Sequence, residues 1–293
     1  MTGRRYFIAG QPFEAPELAP GLYIVSTPIG NLRDMTLRAL ETLAAVDVVY
    51  CEDTRTSARL LDHYGIEAPR KALHEHNERA LIEAILADIG RGGRVALISD
   101  AGTPLLSDPG FPLVRAAQEA GLPVFAVPGA SALLAGLAVA GLPTDSFTFV
   151  GFLPAKAGAR ETALRELAGR RETLAFYESP RRLGETLAAM SEIFGASRLG
   201  AAALELTKKF ERVSRAPLGE LAAQFADTET KGEAVILVEG AHEIAADPGQ
   251  WHQALVVAMA DQPLRAAVDE IAARFSLKRK DVYDAALALK ADQ

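Results

Sequence analysis

The sequence predicts an α/β protein: a mostly parallel sheet in the N-terminal half, a second α/β or α+β domain after it, and a small helical tail. Three observations carry this. Short apolar runs alternate with segments whose apolar residues recur at helical spacing, and strands separated by helices imply parallel pairing. The rhythm changes after Phe147–Gly151, where a polar run precedes a new set of strands. From Asp247 onward no strand pattern remains.

In chain order, strands are expected at Leu22–Val25, Val46–Cys51, Val95–Ser99 and Val124–Val127. Helices fall between them, on Leu37/Leu40/Leu43/Ala44, on Leu81/Ile82/Ile85/Leu86/Ile89 and from Leu113 to Ala120, with turn residues at the joints (Gly90-Arg91-Gly92-Gly93, Gly121-Leu122-Pro123). Val124 to Leu142 carries no charge, but Pro128-Gly129 interrupts it, so it reads as a strand, a tight loop and a buried helix rather than a membrane span. Pro154 to Arg160 reads as a linker. Strands follow at Thr173–Tyr177, Gly200–Leu206 and Ala234–Glu239, with helices over 181–194 and 217–227. In the tail, Pro263 precedes Leu264/Ala267/Val268/Ile271, and Ser276 starts a segment with Val282/Tyr283/Ala286/Leu287, a helix-turn-helix pattern. The expected divisions are 1–19, 20–145, 146–245 and 246–293.

The loop Ser99 to Gly110 follows a strand and precedes a helix, the place where open α/β sheets form their ligand crevice. Gly102 and Gly110 permit positive φ, whereas Pro104 and Pro109 lock it. It is read either as a binding loop or as a rigid turn capped by Ser107 or Asp108. Two further clusters lie just after strands: Glu52-Asp53-Thr54-Arg55 and Tyr177-Glu178-Ser179-Pro180-Arg181-Arg182. They are either helix starts capped by Thr54 and Ser179, or anion-contacting groups, since arginine early in a helix opposes the dipole.

Net charge is −7, so any nucleic acid must be met by a local basic face. The single cysteine, Cys51, excludes an internal disulfide and a cysteine-rich zinc cage, and suits a reducing cytoplasm. Tyr6-Phe7-Ile8-Ala9 is too short for a signal-peptide core. The phosphate loop ending in Gly-Lys-Ser/Thr and the Gly-x-Gly-x-x-Gly fingerprint are both missing, which disfavours ATP and nicotinamide cofactors. His74 and His76 lack further clustered ligands; a helix start capped by Asn77, or a polar substrate-facing loop, is preferred to a metal site.

Five segments in order then resemble one family: Leu22 to Leu32, Glu52 to Arg55, Ser99 to Gly110, Val127 to Ala132, and Tyr177 to Pro180. They are similar to the tetrapyrrole methylase superfamily, and within it to the branch that methylates a cytidine ribose 2′-oxygen of bacterial 16S rRNA. Tetrapyrrole-modifying members carry Gly-x-Gly-Pro-Gly-Asp where this chain has Ser26-Thr27-Pro28-Ile29-Gly30-Asn31, and Gly-Asp-Pro where it has Ser99-Asp100-Ala101-Gly102. The resemblance implies the two-domain class III methyltransferase fold, a homodimer, and S-adenosylmethionine in the cleft between domains. It implies cofactor contacts at Pro28, Asp100, Ala101, Gly102, Leu105, Ser131, Ala132, Tyr177, Leu206, Gly232, Glu233 and Ala234. From the residues themselves, no metal and no membrane are expected.

Methyl transfer to a hydroxyl is an in-line displacement in which orientation supplies much of the rate and a base helps by about 10²–10⁴-fold. Candidates for that base are Asp53, Glu178 and Glu205, with Lys208 if burial depresses its pKa. Arg33, Arg38, Arg55, Arg181, Arg182 and Lys209 are candidates for holding RNA; Lys278-Arg279-Lys280 is either a phosphate contact or a solvated helix end. The rivals are methylation of a tetrapyrrole or diphthamide-type substrate, and a non-catalytic RNA-binding assembly factor.

Overall fold

The computed structural model describes residues 4–226, 232–241, 248–275 and 277–291. Residues 1–240 form one compact unit and 241–293 a second.

The larger unit opens with a hairpin, β1 (Arg5–Ile8) and β2 (Gln11–Glu14), that periodicity did not predict. Its two-residue turn, Ala9-Gly10, has positive φ at both positions, the geometry that matches strand twist, and Tyr6 stacks on Phe13 across it. There follow β3 (Gly21–Val25), α1 (Leu37–Ala45), β4 (Val48–Cys51), α2 (Thr54–His63), β5 (Arg70–Ala72), α3 (Glu78–Gly90), β6 (Arg94–Ile98), α4 (Phe111–Glu119), β7 (Val124–Val127) and α5 (Ala132–Val139). The strands form a parallel sheet in the order β5-β4-β6-β3-β7. Alternate residues enter opposite layers: Tyr23, Val25, Val49, Cys51, Ala96 and Ile98 face one core, and Leu22, Val48, Tyr50, Val95 and Leu97 the other.

The second sheet is built from β8 (Phe147–Phe152), β9 (Thr173–Glu178), β10 (Leu199–Leu204), β11 (Arg212–Pro217) and β12 (Ala234–Val238), in the order β11-β10-β12-β9-β8. Only β8 and β9 run parallel. The helices are α6 (Ala157–Leu167), α7 (Leu183–Phe194) and α8 (Leu218–Phe225). Of the linker expected over 154–160, residues 154–156 are irregular, but α6 starts at Ala157: Ala157, Ala159, Arg160 and Glu161 are good helix formers that outweigh one glycine, and Leu164 is anchored in the core. One layer of this sheet (Ala175, Ala201, Ala203, Val235, Leu237) packs on Leu133 and Leu137 of α5 and on Ile29 after β3. The helix that ends the first half is therefore buried against the second sheet, and the two halves share a core. Gly136 lets that helix approach, with the position of a missing methyl already 3.1 Å from Val235 Cγ1.

The smaller unit contains α9 (Pro248–Asp261), α10 (Leu264–Arg274) and α11 (Arg279–Ala291), joined around Leu255, Ala267, Val268, Ile271, Val282 and Ala286. Asp247 and Ser276 lie outside the described residues. Among the described residues no helix is long and apolar enough to cross a membrane.

Candidate active site

Register places the carboxyl ends of β3, β6 and β7 side by side, with Val25 opposite both Ile98 and Val127. The loops that leave them are fused by hydrogen bonds. Thr27 and Gly102 exchange two backbone bonds, Thr27 N–H to Gly102 C=O at 2.8 Å and Gly102 N–H to Thr27 C=O at 3.0 Å. The Thr27 hydroxyl donates to Ser99 C=O at 3.1 Å, and the Thr103 hydroxyl to Ala130 C=O at 3.2 Å. Leu105 (φ 74°) and Ser107 (φ 68°) sit in the left-handed region, strain that such a framework can hold. The expected cap at Ser107 or Asp108 is corrected: Gly110 (φ 122°) precedes α4, because a side chain there would overlap Leu97. Asp108 is thereby left to face the adjoining cavity.

From the second half, antiparallel register sets the amino end of β12 beside the carboxyl end of β9, Ala234 opposite Glu178. Between these ends and the fused loops lies a cavity of about 390 Å³, of a size that suits a small-molecule cofactor. Phe152, Tyr177, Ile29, Leu106 and Val235 give it apolar walls. Asp100, Asp108, Glu178 and Glu233 line it as well, and no lysine or arginine does among the described residues. An all-carboxylate lining favours a cationic guest and opposes phosphates.

Of the expected cofactor contacts, Asp100, Ala101, Gly102, Ala132, Tyr177, Gly232, Glu233 and Ala234 line this cavity. Pro28, Leu105, Ser131 and Leu206 do not. Leu105 packs into the layer between sheet and α3/α4, Leu206 is buried with α5, and Ser131 caps α5 by accepting from Leu134 N–H. Sequence reasoning missed Ile29, Leu106, Asp108 and Phe152 as lining residues. Asp108 lay within the quoted loop, but its cap reading hid it; Phe152 closes a strand whose carboxyl end is the signal that was available.

The four candidates for proton transfer are each tied elsewhere. Asp53, not Thr54, caps α2; it accepts from Arg55 N–H at 2.8 Å and from its guanidinium at 2.9 Å, which holds its pKa at about 2, too low for a base. Glu178 is buried and both its oxygens are used, one by Ser179 N–H at 2.8 Å and one by the Thr186 hydroxyl at 2.6 Å. Ser179 makes no side-chain cap bond. Lys208 does not have the depressed pKa its role required: burial pulls it down, but the hydrogen bond it donates to Glu205 (2.9 Å) and the charge of Glu233 (3.5 Å) carry it above its ordinary value. Its stem lies over Gly30, and Glu205 accepts its proton-bearing end. Asn77 likewise makes no cap bond to the helix it precedes; its side chain accepts from His74 N–H.

Among the cations, Arg33, Arg181 and Lys209 are exposed, and Arg55 is exposed while paired with Asp53. Arg182 is instead a brace, donating to Leu153 and Pro154 carbonyls at 3.0 and 3.1 Å. Burial pushes Asp100 up, partly offset by the Asp53 N–H it accepts. Burial, with help from the charges of Glu52 and Asp100, raises Asp108 to about 6 against a small opposing effect of Ser99. Tyr177 is raised by burial.

Residues 21–222 match the family model described as Tetrapyrrole (Corrin/Porphyrin) Methylases. The chain belongs to this family. Within the tetrapyrrole methylases, residues 245–290 match a further model, the RsmI C-terminal HTH domain. The chain is 48% identical over 277 residues to ribosomal RNA small subunit methyltransferase I of Mesorhizobium japonicum, covering 94% of each chain. It is 45% identical to the protein of that name from Escherichia coli O157:H7, covering 91% of this chain and 94% of the other. Methyltransferases of known structure share the fold: the methyltransferase CobJ (TM-score 0.56, 23% identity, 75% of this chain and 94% of that one) and a Thermus thermophilus uroporphyrin-III C-methyltransferase complexed with S-adenosylhomocysteine (0.53, 21%, 75% and 97%).

Proposed function

We propose that the cavity holds S-adenosylmethionine and that the protein methylates the ribose 2′-oxygen of a cytidine in the decoding region of 16S rRNA, as a homodimer in the bacterial cytoplasm. The observation that carries this reading is the cavity's lining, carboxylates and aromatic rings with no cationic side chain among the described residues, formed where the tetrapyrrole methylase resemblance locates its cofactor. Such a lining suits a sulfonium cation with an adenine ring and suits no phosphate-bearing cofactor. The relatives named for small-subunit rRNA support the substrate.

Bound there, the cofactor supplies an electrophilic methyl carbon. The protein's contribution is placement. Backbone edges of Asp100, Ala101 and Gly102 on one side and Gly232, Glu233 and Ala234 on the other fix the guest, and the fused loops keep those edges from shifting. Tyr177, anchored by Leu133 N–H at 3.3 Å, offers a rigid ring. Arg33, Arg38, Arg55, Arg181 and Lys209 remain as the RNA-holding set, a local basic supply on a chain of net charge −7. Exposed aromatic residues on the outer strands, Phe125 of β7 and Phe147 and Phe152 of β8, offer apolar surface for a second copy to cover.

The test is label transfer. The protein is incubated with methyl-labelled cofactor and, separately, small subunits lacking the modification, naked 16S rRNA and a tetrapyrrole, followed by nucleoside mass spectrometry. Label on a cytidine ribose of the rRNA is expected; label on a base, on the tetrapyrrole or nowhere overturns the reading. S-adenosylhomocysteine at a hundred times its Kd should add about 2.7 kcal/mol of stability, and light scattering should return twice the chain mass.

A further inference from the structure

Four carboxylates line the cavity, and their partners sort them. Glu178 has both oxygens committed to Ser179 and Thr186 and an arginine, Arg182, at 3.4 Å. Glu233 is mostly exposed and ion-paired with Lys208. Asp100 accepts the Asp53 N–H and is more exposed than Asp108. Asp108 is different: it is half-buried, it has no ion pair among the described residues, and it is carried into the cavity by a loop with left-handed backbone at Ser107. The charged and titratable groups around it come from three elements: Glu52 after β4, Asp100 after β6, and Tyr177 at the end of β9.

We propose that Asp108 is the base that accepts the proton of the ribose 2′-hydroxyl during methyl transfer. The proposal rests on the function proposed above. The ribose oxygen forms its bond to the methyl carbon as the carbon–sulfur bond breaks. Sulfur keeps that electron pair and leaves as a thioether, and the hydroxyl proton passes to an Asp108 oxygen. No other reactant is consumed. A carboxylate with no cationic neighbour is a stronger base than one paired with arginine, and the raised pKa of Asp108, about 6, sets it apart from Asp53 at about 2. A cationic guest beside it lowers that value, so the group is ionised at neutral pH once the cofactor is in place.

Single-turnover methylation of unmodified small subunits is measured from pH 5 to 8.5 for the wild type, Asp108→Asn and Asp108→Glu. Calorimetry with S-adenosylhomocysteine and with sinefungin, an analogue carrying a positive amine in place of the methyl sulfonium, is run in buffers of different ionisation enthalpy. The wild-type rate should rise with pH to a plateau, with a limb at or below about 6. Asp108→Asn should be slower by about 10²–10⁴-fold with a pH-independent residue of rate, Asp108→Glu should recover part of the loss, and affinity for S-adenosylhomocysteine should change little. Near pH 6 sinefungin should release protons from the wild type and not from Asp108→Asn. An Asp108→Asn rate close to wild type, or a loss seen only in cofactor affinity, overturns the assignment. If the wild type itself places no methyl on ribose, the functional reading fails and takes this role with it.

Discussion

A carboxyl group whose pKa rises on folding costs stability once the solution is neutral, and Asp108 should show it. Its folded value is about 6 against an ordinary 3.8. Below the lower value both folded and unfolded chains hold the proton and the cost is nil. As pH rises towards the upper one, the unfolded chain loses its proton while the folded one keeps it, so stability falls and then levels off above about 6. The shift corresponds to about 3 kcal/mol at 1.36 kcal/mol per unit, and partial exposure reduces it to about 1.5 kcal/mol. For a unit of 240 residues that is roughly 3–6 °C in Tm. Asp108→Asn removes the ionisation at nearly constant shape. Thermal unfolding of both proteins from pH 4.5 to 8 should show the variant more stable, with the gap widening to about pH 6.5 and constant beyond. A gap that ignores pH, or a variant less stable than the wild type at pH 7.5, refutes the reasoning.

Asp47 runs the other way: Arg94 and Arg4 overcome its burial and hold it at about 2, so its contribution is present above the ordinary 3.8 and lost as pH falls towards 2. Asp47→Asn should lower urea stability at pH 7 by about 1–3 kcal/mol and flatten the acid limb between pH 4 and 2. Glu178→Gln should cost about 1–3 kcal/mol by weakening a fully used buried acceptor, while single-turnover rate in the folded fraction stays within tenfold of wild type. Gly184→Ala drives a methyl into the Phe225 carbonyl between α7 and α8 and should cost about 1–3 kcal/mol in urea unfolding. Arg33→Ala and Lys209→Ala should each weaken RNA binding and reduce the slope of log affinity against log salt by about one, measured by filter binding.

The parallel sheet was readable because β3, β4 and β6 are buried on both faces and so appear as continuous apolar runs, and the edge strand β7 is apolar in sequence although Phe125 and Ala126 are exposed. β5 and β11 escaped notice: three residues are too few for a pattern, and Arg212 to Pro217 forms an outer strand with two arginines and no continuous apolar run. The β1–β2 turn went unseen because Ala9 is an unusual occupant of positive φ. At the site, backbone-shaped loops identified themselves by glycine and proline. The states of Asp53, Glu178 and Lys208 did not, since each depends on a neighbour that folding supplies: Arg55 in one bidentate turn, Thr186 eight residues along, and Glu233 just before β12.

The paired bonds between Thr27 and Gly102 join points 75 residues apart on the chain. A ribosome that has emitted only the first strand and its helix has therefore made no part of a working floor. Nor can either loop fray while its neighbour waits, since opening one strands the amide of the other. Exchange of the Gly102 amide with deuterium should track loss of the whole sheet, which makes this one hydrogen a reporter of when a nascent molecule becomes able to hold its guest.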